Sequence, residues 1–327
     1  MEKVLLTGAT GFVGSFLAKD LVERGYIVYV TLRKSSDLQW IKDLPLKHCF
    51  IDLSKANPIK DFLEENHIDA IIHNAGLTRH PEEDELNRIN AGILKNIIEA
   101  INTVSYPIKK LIYISSLAAY GSADNQPEGI VRLDSTPKPL TAYGRSKLLA
   151  EGYLKDQVFP YLILRPTAVY GPREKDLLTL FKTINNRLDI SIGKGQKLTF
   201  IYVKDLSYVI VESLKVSLKH KAYFISDTGL YDSSYFSSLI AKCLNKSVIK
   251  IVLPSFIVKW VCNVNDVLGK IFKYHPLLNS DKYNEISAKS WSCDADNIWD
   301  ELNSKPKYDL AAGVEETVAW YKSYRWL

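Results

Sequence analysis

The chain has only four cysteines in 327 residues, Cys49, Cys243, Cys262 and Cys293; they lie far apart, with no Cys-x-x-Cys and no histidine at metal-ligand spacing. A disulfide framework and a zinc site are therefore not expected, and reduced thiols in a cytoplasm fit best. No apolar run approaches the ~20 residues needed to cross a bilayer. MEKVLLTGATGF begins a strand where a secretory leader would place a basic segment and an apolar run, so a soluble, cytoplasmic chain is expected. Neither sign of charge dominates: 42 Lys and Arg against 37 Asp and Glu leave +5, and no basic stripe is available to track phosphates. Nucleic acid is thus not an expected partner. There is no repeat and no low-complexity tract. What is present is 46% hydrophobic and 24% charged residues, enough for a full core in one large domain or two intertwined lobes.

Short apolar or β-branched runs recur along the first two-thirds: VLLT (4–7), IVYVTL (27–32), CFID (49–52), AIIH (70–73), LIYIS (111–115) and YLILR (161–165). Helix-like segments separate them, and SFLAKDLVERG (15–25) sets Phe16, Leu17, Leu21 and Val22 on one face before a glycine stop. This alternation predicts an α/β fold, a doubly wound parallel sheet of Rossmann type whose strands are buried on both faces. After about residue 172 the pattern loosens, with one further strand expected at AYFIS (222–226). The expected division is a nucleotide-binding domain of residues 1–172 plus about 196–227, with a smaller substrate-binding lobe of about 173–195 plus 228–327.

TGATGFVG (7–14) follows the first strand and opens the first helix, setting Gly8, Gly11 and Gly14 at Gly-x-x-Gly-x-x-Gly spacing. Glycine permits the tight turn and close approach of a pyrophosphate, and the helix N-terminus supplies N–H donors. Thr10, Phe12 and Val13 fill the same loop. An NAD site usually ends its second strand in a carboxylate that binds the ribose 2′-OH. Here VTLRKSSD offers Arg33 and Lys34, and a cation there would pair with a 2′-phosphate, so NADP(H) is favoured over NAD(H). The alternative for Arg33 is a plain surface charge. Asp52, followed by Leu53 at the end of the third strand, either accepts from an adenine amino group or closes a strand-end turn.

TAYGRSKLLAE (141–151) spaces Tyr143 and Lys147 one helical turn apart, so an ammonium can stabilise a phenolate and lower its pKa. A second Tyr-x-x-x-Lys, Tyr106 to Lys110, contains Pro107 and runs into a strand, so its side chains need not share a face. LIYISSLAAYG (111–121) brings Ser115 and Ser116 to a strand end, where open α/β sheets bind their ligands. A hydroxyl from Ser116 could hold a carbonyl while Tyr143 transfers the proton.

TGATGFVG (7–14), HNAG (73–76), Asn90 in NAGILKNIIEA, YISSLAAYG (113–121), YGRSK (143–147), LRPTAVYGP (164–172) and FIYVKD (200–205) occur in this order. Together they resemble the extended short-chain dehydrogenase/reductase family, also called the NAD-dependent epimerase/dehydratase family. The resemblance implies Ser116 as catalytic hydroxyl, Tyr143 as acid/base, and Lys147 as activator of Tyr143 and ligand of the nicotinamide ribose. It implies a supporting role for Asn90, although Ile93 and Leu94 replace the usual Gly-Thr after it. It puts Asn74, Ala75 and Gly76 along the cofactor and the backbone from Pro166 to Val169 at the nicotinamide. No metal is implied, and a homodimer built from helices around 90–102 and 143–156 is. A non-catalytic NAD(P)-binding regulator is the further alternative, but it would be expected to lose part of Ser116, Tyr143 and Lys147.

Two departures bear on substrate. Relatives acting on nucleotide sugars commonly carry an Asn where this chain has Ala168, and an Arg before Phe-Ile-Tyr-Val where it has Leu198 and Thr199. Leu117 and Ala118 after Ser116 replace the acidic residues common in family dehydratases, which disfavours dehydration. In LPSFIVKWVCNVNDVLGKIFKYHPLL (253–278), Phe256, Ile257, Trp260, Val261, Val264, Val267, Leu268, Ile271 and Phe272 form a broad apolar face near Lys259, Lys270 and Lys273. Such a face most often packs onto its own lobe; the alternative is a hydrophobic substrate wall touching a membrane surface. This segment and SAKSWSCDADN (287–297) resemble the sterol-dehydrogenase-like and dihydroflavonol-reductase-like branches. That resemblance implies hydride transfer at a carbonyl or secondary alcohol of an apolar small molecule, lipid-, sterol- or keto-ceramide-like. A nucleotide-sugar 4-epimerase or reductase is the alternative.

Overall fold

The computed structural model describes residues 1–193, 195–272, 276 and 279–327. Seven strands form one parallel sheet: β1 Lys3–Thr7, β2 Ile27–Thr31, β3 Lys47–Cys49, β4 Ala70–His73, β5 Lys110–Ile114, β6 Tyr161–Pro166 and β7 Lys221–Ile225. Their spatial order is β7-β6-β5-β4-β1-β2-β3, so the direction of winding reverses beside β1. In open α/β sheets that reversal opens a crevice at the strand ends.

Alternate residues of each strand feed two cores, as the pleat requires. Val4, Leu6, Val28, Val30, Ile72, Ile112 and Ile114 pack on one face, against Leu17 and Leu21 of α1 (Phe12–Glu23). Leu5, Tyr29, Ile71, Leu111 and Tyr113 pack on the other, against Leu94, Ile97, Ile98 and Ile101 of α2 (Ile93–Thr103) and Ala150 of α3 (Ala142–Gly152). The near-continuous apolarity of the strands thus has its cause in helices on both sides.

Two boundaries differ from expectation. α1 starts at Phe12, inside the glycine loop, and Gly14 in its first turn packs directly on the Gly8 backbone, an approach that a side chain there would block. The third strand ends at Cys49 instead of running over 49–52: it is an edge strand that pairs only with β2, from Tyr29↔Lys47 to Thr31↔Cys49, and Phe50 beyond it is 69% exposed.

Apart from β7, the described strands after β6 lie in small sheets outside the large one. Ala168–Tyr170 pairs with Phe200–Tyr202, and Leu188–Ile192 with Ile249–Leu253, both parallel. A separate aromatic-rich core forms here from Tyr170, Phe181, Phe200, Tyr202, Phe236 and Tyr321. The helices α4 (Ser255–Phe272) and α5 (Ser280–Ser287) follow, tied together where the Ser280 N–H donates to an Asp266 carboxylate oxygen at 3.0 Å.

Candidate functional site

The ends of β1, β4 and β5 and the start of α3 converge on one region. At β1 the loop is set by backbone proximity. Gly8 has φ 73°, and a Cβ there would stand 2.8 Å from the Ala75 nitrogen; a Cβ on Gly14 would stand 2.0 Å from the Gly8 carbonyl oxygen. Gly11 instead is exposed, with only the Gly8 oxygen near its would-be Cβ, at 3.4 Å. No side chain caps α1 at Gly11, and its first turn, with Phe12 and Val13 after Thr10, holds no carboxylate. Those N–H groups and the open face of Gly11 fit a pyrophosphate. The chain end of β4 closes the cradle: the Asn74 amide donates to the Gly8 carbonyl at 3.3 Å and the Ala75 N–H donates to Thr7 Oγ1 at 3.0 Å.

Further out, Arg33 and Lys34 are exposed just after β2, with the Arg33 N–H donating to Ser36 Oγ. Asp52 has a turn role: its Oδ1 accepts from the Ser54 N–H at 3.0 Å and from Ser54 Oγ at 2.6 Å, bonds that hold its carboxyl below the usual range. The Leu53 carbonyl accepts from Asn96.

Ser116 caps a short 3-10 turn, Leu117–Ala119, its Oγ accepting from the Ala118 N–H at 3.1 Å. The α3 helix begins against this turn. Gly144 makes that possible, since a Cβ there would lie 2.2 Å from the Ala118 carbonyl oxygen. Thr141 Oγ1 caps α3 by accepting from the Gly144 N–H, and Asp281 of α5 accepts from the Ala142 N–H at 2.8 Å. Tyr143 is thereby brought beside Ser116, close enough for the hydroxyl to favour the phenolate. Lys147 is 4% exposed; its Nζ donates to the Ile114 carbonyl at 2.8 Å and lies over the Tyr113 ring.

The electrostatics differ from the expected lowering of the tyrosine pKa. Burial pushes the Tyr143 phenol up to about 12, against a lowering contribution from Ser116, and pushes Lys147 down to about 8, opposed by the Glu151 charge. Desolvation of both groups outweighs their mutual attraction here, with Nζ 5.9 Å from the Tyr143 ring centre and turned onto a carbonyl.

Asn90 is fully buried with its amide wholly engaged. Oδ1 accepts from the Leu77 N–H at 2.8 Å; Nδ2 donates to the Leu77 carbonyl at 2.9 Å and to Ser146 Oγ at 2.8 Å. It therefore ties the loop after β4 to α3 instead of presenting a free group. It lies in a π-helical turn, Arg88–Gly92, a distortion that sequence periodicity does not reveal. Gly76 lies beside it, a would-be Cβ standing 2.9 Å from Asn90 Oδ1 and 3.4 Å from Lys147 Nζ. Pro166 ends β6, and Val169 is half-buried in the strand that pairs with Phe200–Tyr202.

Sequence reading missed one buried assembly. Glu151, one turn beyond Lys147, accepts from Arg165 in a bidentate pair at 2.9 and 2.8 Å and from Ser115 Oγ at 2.5 Å. The Arg165 guanidinium stacks 4.4 Å from the Tyr120 ring centre. The i+4 spacing from Lys147 was the available signal; its partners on β5 and β6 are distant in sequence. The second Tyr-x-x-x-Lys does not form a site: Tyr106 donates to the Leu63 carbonyl at 2.6 Å, whereas Lys110 in β5 donates to the Ser213 carbonyl at 2.7 Å.

The expected packing of the 253–278 face onto its own lobe is not found. Phe256 and Trp260 on α4 are 71% and 67% exposed, while Val258 and Cys262 on the opposite side are buried. α4 packs by its narrower face, leaving the broad one outward. The side chains of Lys270, Ile271 and Phe272, and the residues Lys273, Leu277 and Leu278, lie outside the described residues. Among the described residues, no helix is long and apolar enough to cross a membrane.

Comparison with known proteins bears on the fold and on the family. The human dTDP-D-glucose 4,6-dehydratase is 26% identical over 345 residues, covering 98% of this chain and 90% of that protein. The protein CapI of Staphylococcus aureus is 24% identical, covering 98% and 99%. Among solved structures, the UDP-glucose 4-epimerase of Thermotoga maritima with UDP-glucose superposes with a TM-score of 0.79 at 17% identity, over 99% of both chains. The UDP-glucuronic acid 4-epimerase of Bacillus cereus, in complex with NAD, gives 0.77 at 22%, over 98% and 99%. The model of the NAD dependent epimerase/dehydratase family matches residues 4–225, which contain the glycine cradle, the Ser116 turn and the Tyr143 helix. By that match over most of its length, this chain belongs to the NAD dependent epimerase/dehydratase family.

Proposed function

We propose that the chain is an NAD(P)-dependent oxidoreductase acting at the carbonyl or secondary alcohol of an apolar, lipid- or sterol-like molecule, with keto-ceramide-like lipids in that class. A bound nicotinamide would supply or accept the hydride. Ser116 holds the substrate oxygen by hydrogen bond, and Tyr143 gives it, or takes from it, the proton. Lys147 contributes positive charge beside the developing phenolate and binds the nicotinamide ribose; a substrate and cofactor that bring Nζ off the Ile114 carbonyl would restore the attraction that burial now outweighs. Asn90 positions α3, and Asn74, Ala75, Gly76, Pro166 and Val169 line the cofactor. Arg33 supports NADP(H) over NAD(H), its exposed guanidinium standing ready for a 2′-phosphate. Residues 1–172 plus about 196–227 form the nucleotide-binding part and the remainder the substrate lobe. A homodimer through α2 and α3 is consistent with Leu149, 44% exposed on α3.

One observation carries the choice of an apolar substrate. The helix that presents exposed Phe256 and Trp260 is joined through Asp266, Ser280 and Asp281 to the first residue of the Tyr143 helix. An apolar surface is therefore coupled mechanically to the reacting group. A second reading, a nucleotide-sugar 4-epimerase or reductase, is favoured by the relatives named above. Against it stand Ala168, and Leu198 and Thr199 in place of an arginine; the Thr199 hydroxyl donates to the Trp291 carbonyl at 3.3 Å. Leu117, buried, and Ala118 supply no carboxylate for dehydration. The test is turnover of long-chain keto-lipids with NADPH or NADH beside UDP- and dTDP-sugars. Oxidation of the reduced cofactor with lipid ketones alone is expected; turnover of the sugars alone would sink the apolar reading.

A further inference from the structure

We propose that the outer face of α4, with the strand that leads into it, docks the chain onto an anionic phospholipid surface. The proposal rests on the apolar-substrate reading and names the surface from which such a substrate would come.

The α4 helix has two apolar sides. Val258 and Cys262 face inward at 6% and 0% exposure, and Gly269 is buried with them. Phe256, Trp260, Val264 and Val267 follow at steps of four, four and three and lie on the other side, 71%, 67%, 36% and 56% exposed. A helix with one packed side should turn polar residues to water on the other; Asn263 is the polar interruption in this stripe. The strand Ile249–Leu253 extends the surface. Ile251 pairs with Ile190, both are exposed, and Pro254 passes the chain directly into α4. Isolated exposed apolar residues need no explanation, but a contiguous run on one helix and its entering strand marks an interaction surface.

Charge selects the occupant. Between Asp232 and Asp266 the chain carries Lys242, Lys246, Lys250 and Lys259 and no carboxylate. Lys250 and Lys259 are exposed within the apolar segment itself, and Arg187 is exposed where its carbonyl accepts from the Ile249 N–H. The nearby acids are engaged: Asp189, opposite Lys250 in the strand register, is 7% exposed, Asp266 is held by Ser280, and on α5 Asp281 accepts from the Ala142 N–H while Glu285 pairs with Lys282 at 3.0 Å. Aromatic and branched side chains flanked by cations, with the neighbouring acids neutralised, are what an interfacial helix needs to enter the headgroup region of an anionic leaflet. A second copy of this chain would instead bring a like-charged face against the same lysines.

Purified protein is sedimented with sucrose-loaded vesicles of phosphatidylcholine alone and of phosphatidylcholine with phosphatidylglycerol, without substrate or cofactor. Binding is expected to be about tenfold or more stronger on the anionic vesicles and to fall with salt. Lys250→Glu with Lys259→Glu should remove that preference. Phe256→Ser with Trp260→Ser should abolish sedimentation on both, while cofactor binding and the melting midpoint persist. Should that pair fail to fold, quenching by lipids brominated along the acyl chain decides, since Trp260→Phe should remove most of the quenching seen in the wild-type chain. Wild-type protein remaining in the supernatant with both compositions overturns the proposal. So does a concentration-dependent dimer that Phe256→Ser with Trp260→Ser dissociates while no vesicle binding is seen. Vesicle binding together with turnover only of nucleotide sugars would leave docking standing and remove the lipid-substrate reading, so the two failures are separable.

Discussion

Replacing Glu151 by Gln tests whether the buried assembly behind the site holds it in place. Glu151 and Arg165 have side chains only 4% and 6% exposed, and three donors converge on the carboxylate: Arg165 Nε, Arg165 Nη2 and Ser115 Oγ. Gln can still accept through one oxygen, but its amide nitrogen would meet a donor, leaving the guanidinium buried without a counter-charge. Removing one partner of a buried pair costs roughly 3–5 kcal/mol. The Tyr120 ring at 4.4 Å continues to hold the cation, and a desolvated cation–π contact is worth up to about 2 kcal/mol, so a loss near ~3 kcal/mol is expected. Urea unfolding followed by coincident fluorescence and circular dichroism measures it. Replacing both partners, Glu151→Leu with Arg165→Met, should recover most of the loss, because an apolar pair needs no counter-charge. The Glu151 charge also raises the Lys147 pKa, so Glu151→Gln should depress Lys147 below about 8 and move the basic limb of the turnover profile to lower pH. If Glu151→Gln unfolds within about 1 kcal/mol of wild type, or the double replacement is as unstable as the single, the network is not what fixes α3 against β5 and β6.

Other expectations follow from the same geometry. Tyr143→Phe should bind NADPH as tightly as wild type by fluorescence titration yet lose turnover by about 10²–10⁴-fold, the usual contribution of a general acid; turnover at the wild-type rate would refute the assigned role. Lys147→Met bears on stability and pH. In the folded chain Lys147 is depressed to about 8 from 10.5, so its burial cost is fully present below pH 8 and is relieved as pH rises toward 10.5. Wild type should therefore gain stability relative to Lys147→Met across that interval in urea titrations, and a flat difference would contradict the burial. Gly14→Ala would bring a methyl 2.0 Å from the Gly8 carbonyl oxygen and should cost about 1–3 kcal/mol with loss of cofactor binding in calorimetry. Arg33→Ala should weaken NADPH by about tenfold while leaving NADH little changed; equal effects on both would return Arg33 to the role of a surface charge.

Much of the fold was legible because local patterns and global packing agree. The strands at 4–7, 70–73, 111–115 and 161–165 came through within a residue, since runs apolar on both sides suit only a sheet covered on both faces. CFID failed because an edge strand pairs on one side and ends early. The Ser116, Tyr143 and Lys147 grouping was also legible, through the i, i+4 spacing and the strand-end hydroxyls. Asn90 could be singled out only by resemblance, since its partners Leu77 and Ser146 lie 13 and 56 residues away.

By itself the sequence determined the glycine cradle, the parallel sheet and the helical pairing of Tyr143 with Lys147, because each depends on spacing within a turn or a strand. Only the tertiary structure decided the rest. It turned Lys147 onto the Ile114 carbonyl, so that burial and not a neighbouring phenol governs its proton. It closed Glu151, Arg165 and Ser115 into one buried network. It also left the broad face of α4 outward, although an apolar helical stripe ordinarily marks a core. In each case the outcome rests on contacts between elements far apart along the chain, and on how much water those contacts exclude, neither of which a local pattern encodes.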